Sequence, residues 1–229
     1  MIENNDMSIK IFDLCLFSKD KQTLLNAISS HFDNSSKISY IFTPNPEQVI
    51  QSHQDTSQSR LFLEDLQSAD WLIPDGVGLV WASKLLHSRG QVETPLKQRI
   101  AGADLVIDVL NLVSKRSQDH AVLIIGGDGY ESSAISKLEQ QTKLKIHWTP
   151  GYVNASQPTA QEETAVLKLI QEVRPSVVFV ALGAPTQERW LIEHRSMLES
   201  ANVGLGMAVG GRFDYIIVTV SRAPVIVRQ

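Results

Sequence analysis

The sequence predicts an α/β protein with a Rossmann-like parallel sheet flanked by helices, in which two lobes form one compact unit. Two observations support this fold class. Strand-length apolar runs alternate with helix-length segments through the second half of the chain, which is typical of a parallel sheet covered on both faces. The runs at 121–125 and 176–182 are continuously apolar, as expected of strands buried on both sides.

The first half is predicted to form an N-terminal α/β lobe over residues 9–118, after a disordered polar start at residues 1–8. Hydrophobic periodicity and turn residues predict strands at 10–16 and 38–43 and helices at 21–32, 57–67, 76–86 and 104–114. The helix at 76–86 is expected to be largely buried through its apolar residues, Leu79, Val80, Ala82, Leu85 and Leu86.

The second half is predicted to form a C-terminal Rossmann-like lobe over residues 119–229 that binds a nucleotide. The two lobes are expected to meet near residues 115–120. The same periodicity predicts strands at 121–125, 144–148, 176–182 and 203–209 and helices at 130–141, 159–173 and 186–198.

Composition excludes several classes of protein. A net charge of −4 and a pI of about 5.9 give no electrostatic basis for binding nucleic acid. The single cysteine, Cys15, excludes an internal disulfide framework, and its apolar neighbours predict a core position in a reducing compartment. Neither a secretory signal nor a membrane-spanning window is present, so we expect a cytoplasmic protein, at most attached to a membrane surface.

The sequence also lacks the patterns of a metal site. The six histidines have no ligand spacing, and neither His-x-x-x-His nor Asp-x-Asp occurs. Enzymes that use a cation against a sugar-nucleotide diphosphate commonly hold it with paired carboxylates. We therefore expect no metal and no cofactor, and expect arginines and helix N-termini to neutralise a leaving diphosphate.

The stretch at 71–78, Trp-Leu-Ile-Pro-Asp-Gly-Val-Gly, contains the strongest candidate for chemistry. Pro74 is expected to end a strand, so Asp75 would lie at a strand–helix junction, where α/β proteins place their sites. Two interpretations follow from these residues. Asp75 is either the N-cap of the next helix, which the stretch alone favours, or a carboxylate exposed to a bound molecule.

Two glycine-containing turns follow predicted strands. Backbone N–H groups at Gly126 and Gly127 would point at an anion. A plain β–α turn explains these glycines equally well, because the third glycine of a dinucleotide fingerprint is missing. Gly183 begins a similar turn, in which Gln187 offers hydrogen bonds at a helix start. Glu188 is read as complementing the helix dipole. Together the two turns favour a nucleotide or another phosphate ligand.

Further polar candidates lie at other predicted element ends. Thr43 and Asn45 follow a strand and are suited to binding hydroxyls, although turn chemistry beside two prolines also explains them. Arg99 and Arg222 could bind a diphosphate with their planar guanidinium groups. Other arginines are interpreted as solvated surface residues, namely Arg89, Arg116 and Arg195.

Taken together, these residues resemble one family, the WecG/TagA/CpsF glycosyltransferases. The resemblance covers nearly the whole chain from about Ile9 and consists of six blocks in the expected order. The blocks are Thr43-Pro44-Asn45, Pro74-Asp75-Gly76, Arg99-Ile100-Ala101-Gly102, Gly183-Ala184-Pro185-Thr186-Gln187-Glu188, Gly210-Gly211-Arg212-Phe213-Asp214 and Arg222-Ala223-Pro224.

The resemblance implies an inverting, metal-independent glycosyltransferase. Such enzymes move a sugar, often N-acetylmannosamine, from a UDP donor to a polyprenyl-diphosphate-linked acceptor at the inner membrane face, in teichoic acid or other cell-surface polysaccharide synthesis. By match to the family motifs, Asp75 would be the general base, with Thr43 and Asn45 lining its pocket. Gln187 would contact the donor, and Arg99 would face the diphosphate or the lipid-linked acceptor.

The sequence departs from the family pattern in its last part. Ile217 and Val218 stand where relatives have Ala-Gly, and the sequence ends at Gln229, before the Gly-Leu-Glu-Trp block and basic membrane-binding tail of the family. Apolar segments at 216–220 and 225–227 are expected to remain uncovered, so we expect a homo-oligomer that self-associates there.

Two other functions stay open from the sequence. A nucleotide-binding module without turnover would keep the same phosphate-binding turns but would not transfer sugar. An NAD-type oxidoreductase is disfavoured by the incomplete glycine fingerprint. UDP binding would support the first two functions and NAD binding the third, and turnover with a lipid-linked acceptor would separate the first two.

Overall fold

The computed structural model describes residues 7–116, 120–127 and 132–211. Within these ranges the chain folds into one eight-stranded sheet flanked by helices, which confirms the predicted α/β class. The strand order is β1-β2-β4-β3-β8-β7-β5-β6. All neighbouring strands run parallel except β1 and β2, which form an antiparallel hairpin at one edge.

The described strands are β1 (Ser8–Ile11), β2 (Leu14–Phe17), β3 (Ser39–Phe42), β4 (Trp71–Leu72), β5 (Ala121–Gly126), β6 (Lys145–Thr149), β7 (Val177–Ala181) and β8 (Leu205–Ala208). The described helices are α1 (Lys21–Asn34), α2 (Pro46–Ser52), α3 (Ser57–Gln67), α4 (Val77–Ser88), α5 (Gly102–Arg116), α6 (Ser132–Thr142), α7 (Ala160–Val173), α8 (Thr186–Glu193) and α9 (Arg195–Ser200).

The core lies on both faces of the sheet because successive side chains along a strand point in opposite directions. In β7, Val177 and Phe179 pack into one apolar cluster, whereas Val178 and Val180 pack into the other. Helices α1, α5 and α6 cover the first face, and α2, α3, α4, α7, α8 and α9 cover the second. This two-sided burial explains why the parallel strands read as continuous apolar runs.

Strand β8 joins the two halves of the chain. It pairs with β3 on one side and with β7 on the other, so strands of the first and second halves belong to the same sheet. The division into two lobes near residues 115–120 stays a prediction, since residues 117–119 are not among those described.

Several sequence predictions about individual elements are wrong. The predicted strand at 10–16 is a hairpin whose two-residue turn, Phe12 and Asp13, has positive φ angles of 49° and 61°. Cys15 is exposed rather than in the core, because it alternates with the buried residues Leu14 and Leu16 along β2. The predicted helix at 186–198 is divided at His194 into α8 and α9.

The prediction for α4 is also wrong in part. Leu79 and Val80 are buried, as expected, but Leu85 is 52% exposed. The apolar residues of α4 lie on both sides of the helix, so the core can cover only some of them.

Some predicted features lie outside the described residues. These are the start at 1–6, the turn residues Asp128 and Gly129, and residues 212–229, which include Arg222 and the two apolar segments. In the part of the chain that the structure describes, we find no helix with the length and apolarity needed to cross a bilayer.

Candidate active site

Polar residues from both halves of the chain meet at the carboxyl-terminal edge of the sheet. The segments that follow β3, β4, β7 and β8 enclose a cleft of about 670 Å³. The sequence-predicted residues among its lining residues are Asn45, Asp75, Arg99, Gly183 and Gln187. Binding sites in open parallel sheets lie at this edge, because loops that follow neighbouring strands converge there.

Asp75 is fixed in the cleft by backbone hydrogen bonds on two sides. Its N–H donates to the carbonyl of Pro44 at 3.0 Å. On the other side, the N–H of Ile100 donates to the carbonyl of Pro74 at 3.3 Å. The Pro-Asp-Gly segment is therefore held between the segment after β3 and the segment that leads into α5.

The Asp75 carboxylate points toward the start of α5. Oδ2 accepts a hydrogen bond from the Gly102 N–H at 3.3 Å, and Oδ1 lies 3.4 Å from Nε of Arg99. The Asp75 side chain is 13% exposed, whereas that of Arg99 is 53% exposed. The carboxylate is thus recessed but open to the cleft, with an arginine at its mouth.

The N-cap interpretation of Asp75 is wrong for the helix that follows it. Gly76 is the N-cap of α4 and supplies no side-chain hydrogen bond. Its φ of +138° belongs to a region that side chains rarely adopt, and a Cβ there would lie 2.8 Å from Cδ of Pro46. Glycine at this turn lets the chain enter α4 while the Asp75 carboxylate faces α5.

Asn45 combines a local role with a place in the cleft. Its side chain caps α2 by accepting a hydrogen bond from the Gln48 N–H at 2.8 Å, and Pro46 occupies the first turn of that helix. Asn45 therefore has a local structural role, that of a helix cap, and it also lines the cleft. Thr43 is 3% exposed at the end of β3 and is not among the lining residues.

Gln187 holds the rim of the cleft together. Its Oε1 accepts a hydrogen bond from the Gly210 N–H at 2.9 Å, and its Nε2 donates to Glu188 Oε1 at 2.9 Å. Gln187 and Glu188 are 1% and 3% exposed. Glu188 lies in the first turn of α8, as the dipole argument requires, but it is buried and engages Gln187.

The two glycine turns differ in what their glycines do. Gly183 has a φ of +79°, and a Cβ there would have no atom within 4 Å, so its surface is open toward the cleft. At Gly126 a Cβ would lie 2.6 Å from the carbonyl oxygen of Ala181, so close packing between strands requires this glycine. Neither Gly126 nor Gly127 is among the lining residues of the cleft.

The sequence analysis missed three lining residues, Gln48, Ala103 and Asp104, which belong to the first turns of α2 and α5. Ala103 and Asp104 lie where the predicted helix at 104–114 begins, and Gln48 follows Pro46, a residue that can open a helix. Periodicity alone could not connect these positions with the cleft. In the part of the chain that the structure describes, no three His, Cys, Asp or Glu side chains cluster where they could hold a metal ion.

A second cleft, of about 540 Å³, lies between α3 and α8. Asp65 and Arg189 form an ion pair of 3.0 Å there, and burial raises the pKa of the Asp65 carboxyl to about 6. Trp190 stacks on His194 with ring centroids 4.3 Å apart. All four residues line this cleft, but each is paired with another of them, so we interpret them as structural.

Comparison with known proteins decides the family. The model of the "Glycosyl transferase WecG/TagA/CpsF family" matches residues 9–229. The chain belongs to this family. It is therefore a glycosyltransferase, as the six sequence blocks implied.

Two relatives with similar sequences share one name, N-acetylglucosaminyldiphosphoundecaprenol N-acetyl-beta-D-mannosaminyltransferase. The protein of that name from Bacillus subtilis (strain 168) is 30% identical over 205 residues, which cover 88% of this chain and 72% of the relative. The one from Staphylococcus aureus (strain NCTC 8325 / PS 47) is 28% identical over 232 residues, which cover 100% of this chain and 84% of the relative.

Proposed function

We propose that this glycosyltransferase moves N-acetylmannosamine from a UDP donor to N-acetylglucosamine carried on undecaprenyl diphosphate. The acceptor and the transferred sugar are those in the names of the two relatives. The UDP donor, inversion at the anomeric carbon and independence from metal come from the family resemblance. The product would enter teichoic acid or a related cell-surface polysaccharide.

The observation that carries the proposal is the position of the Asp75 carboxylate. It is recessed in the cleft and hydrogen-bonded through Oδ2 to Gly102, while Oδ1 faces Arg99. A carboxylate held in this way can take the proton of an acceptor hydroxyl within hydrogen-bond reach. Preorganisation by the backbone fixes its position before the acceptor arrives.

The reaction then needs one displacement. As Asp75 takes the proton, the acceptor oxygen forms a bond to the anomeric carbon, and the bond from that carbon to the UDP oxygen breaks. The electron pair of the broken bond leaves with UDP. Because attack and departure occur on opposite faces of the sugar, the anomeric configuration inverts.

The departing diphosphate is stabilised by the surroundings of the cleft. Helices α2, α5 and α8 all begin at its wall, and their N-terminal N–H groups carry partial positive charge. Arg99 adds a full positive charge at the mouth. In the proposal these groups neutralise the diphosphate in place of a metal ion. The sequence has no Asp-x-Asp pattern that would hold such an ion.

The test is transfer from UDP-N-acetylmannosamine to a short-chain polyprenyl-diphosphate-linked N-acetylglucosamine. For Asp75→Asn we expect the turnover rate to fall about 10²–10⁴-fold, the range for loss of a general base. The melting temperature and UDP affinity should hardly change, since asparagine keeps the size and can still accept the Gly102 hydrogen bond. EDTA should leave both turnover and UDP affinity unchanged.

Asp104→Asn is the matched control, because Asp104 is a second carboxylate in the lining of the same cleft. Its turnover should stay within a few-fold of the unmodified protein. Normal turnover by Asp75→Asn would remove the base assignment. UDP binding without transfer by any variant would instead support a nucleotide-binding module.

The proposal also fixes where the enzyme works. A sugar nucleotide is supplied in the cytoplasm, whereas an undecaprenyl chain stays in the bilayer. We therefore place the protein at the inner face of the cell membrane, in contact with the lipid surface but not inserted across it.

A further inference from the structure

The outer face of α4 exposes a ladder of large apolar side chains. Val77, Trp81 and Leu85 are 51%, 67% and 52% exposed. They are spaced four residues apart, so they lie on one face of the helix and extend for about 12 Å along its axis. We call these three residues the α4 stripe.

The stripe is not explained by the core. The opposite side of α4 is buried through Leu79, Val80 and Ser83, which pack the helix onto the sheet. In the part of the chain that the structure describes, the other large exposed apolar residues are dispersed over separate elements, namely Phe12, Ile50, Leu61 and Val153. Single exposed apolar residues are ordinary, whereas a contiguous row on one helix face indicates a contact surface.

The stripe begins at the active site. Val77 follows Asp75 by two residues, and Gly76 packs closely on Pro46, which starts α2 at the cleft wall. The first turn of α4 is therefore fixed beside the cleft. A surface that contacted the stripe would lie next to the mouth where the acceptor enters.

The segment that carries the stripe has charges of one sign. Between Gly76 and Val92 the charged or titratable residues are Lys84, His87 and Arg89, and this segment contains no aspartate or glutamate. All three side chains are exposed. This cationic segment occurs in a chain with a net charge of −4, so it differs from the general surface.

We propose that the α4 stripe and its cations form the surface by which this protein lies on an anionic lipid bilayer. An apolar face with lysine and arginine beside it is the pattern of a helix that rests in the membrane interface. Anionic headgroups complement Lys84 and Arg89. A second copy of the chain fits less well, because two such faces packed together would bring like charges close.

The role that we give to this membrane contact rests on the proposed function. The acceptor in that proposal is anchored in a bilayer by its undecaprenyl chain. A protein seated through the α4 stripe would present the mouth of the Asp75 cleft to the membrane surface, where the diphosphate and sugar of the acceptor lie.

The test is vesicle binding by the full chain, measured without donor or acceptor. The protein should float with vesicles that contain phosphatidylglycerol and much less with vesicles of phosphatidylcholine alone. Trp81 should enter an apolar environment, so tryptophan emission should shift to shorter wavelength. Trp71 and Trp190 are already buried and Trp148 is half-buried, so Trp81→Phe should abolish most of the shift.

The deciding variant is Trp81→Ser with Leu85→Ser, which should weaken vesicle binding at least about tenfold, because each side chain contributes apolar burial. Lys84→Gln should weaken it about fivefold at low salt. Leu61→Ser on α3 is the matched control, since Leu61 is 49% exposed, close to the 52% of Leu85. It should bind vesicles like the unmodified protein.

Three results would overturn the proposal. The unmodified protein could fail to bind anionic vesicles, or the double variant could bind as well as the unmodified protein. In the third result, the unmodified protein would be a dimer and the double variant a monomer, with equal vesicle binding. That result would assign the stripe to contact with a second copy of the chain. Because no transfer is measured, each result is independent of whether the proposed reaction is correct.

Discussion

Two recessed aspartates show how surroundings decide the role of one residue type. Asp75 faces the cleft and is bonded to a backbone N–H and an arginine that is itself largely exposed. Asp65 has a side chain only 5% exposed and pairs with Arg189 across the second cleft. The first is placed to meet a substrate, and the second ties α3 to α8.

Burial of Asp65 makes stability depend on pH. Its pKa is raised from 3.8 to about 6, chiefly by burial, with Arg189 opposing the shift. The folded state therefore holds the proton more tightly than the unfolded state, so this residue's contribution to stability is lost as pH rises from about 4 to 6. This shift corresponds to a loss on the order of 2–3 kcal/mol.

We expect Asp65→Asn to remove this loss. Between pH 4 and pH 7 the free energy of unfolding in urea should fall less, or rise more, for the variant than for the unmodified protein. Asp33→Asn is a control of opposite sign, because the hydrogen bond from Arg116 lowers the pKa of the exposed Asp33. Identical pH profiles for Asp65→Asn and the unmodified protein would show that Arg189 keeps Asp65 ionised.

At the scale of elements, the β1–β2 hairpin shows what periodicity overlooks. The sequence has no Asn-Gly or Asp-Gly pair at the turn, so 10–16 reads as one strand. The structure instead places Phe12 and Asp13 in left-handed conformations between paired residues Ile11 and Leu14. Pairing of the flanking strands outweighs the poor turn preference of these two residues.

This turn predicts opposite effects for two substitutions at one position. Asp13→Gly should raise the free energy of unfolding by about 0.5–1 kcal/mol, because glycine adopts a φ near 61° without steric cost. Asp13→Val should lower it by about 1–2 kcal/mol, since a β-branched residue is strained there.

Both variants remove the exposed ion pair between Lys10 and Asp13, so its small contribution cancels in the comparison. Urea unfolding measures both free energies. Equal stability of the two variants would contradict the left-handed turn.

At the scale of the whole molecule, β8 connects the two halves of the sheet. At its centre, Gly206 pairs with Tyr40 of β3 and Val178 of β7. A Cβ on Gly206 would lie 2.8 Å from Cδ2 of Leu191 and 2.9 Å from the Tyr40 ring. Both neighbours are fully buried, so neither has open space into which to move.

We therefore expect Gly206→Ala to destabilise the chain by about 1–3 kcal/mol, the usual cost of overpacking a core. Because β8 pairs with strands from both halves, the melting curve should keep a single transition that moves to lower temperature. Gly90→Ala separates crowding from backbone strain, because a Cβ there would meet no atom within 4 Å, whereas the φ of +70° still strains an alanine. Two separate transitions, with only one shifted, would show that the halves unfold independently.

Much of the candidate site was predictable because it depends on strand ends. Asn45, Asp75 and Gln187 each follow an apolar run, and parallel strands bring such positions to one edge. Gly126 also follows an apolar run but is not among the lining residues of the cleft, and close packing against the neighbouring strand requires its glycine. The role of Gln187 in fixing Gly210 joins residues 23 positions apart, which no local pattern encodes.

The sequence by itself determined the α/β class, the identity of most strands and helices, and the family. These follow from hydrophobic periodicity and short motifs, which are local properties of the chain. Only the tertiary structure decided that β8 lies between β3 and β7, that Asp75 faces α5 and not α4, and that Leu85 is exposed. Each of these three features depends on which distant segment packs against a residue. Hydrophobic periodicity shows only which residues are apolar, and it does not show which segment will bury them.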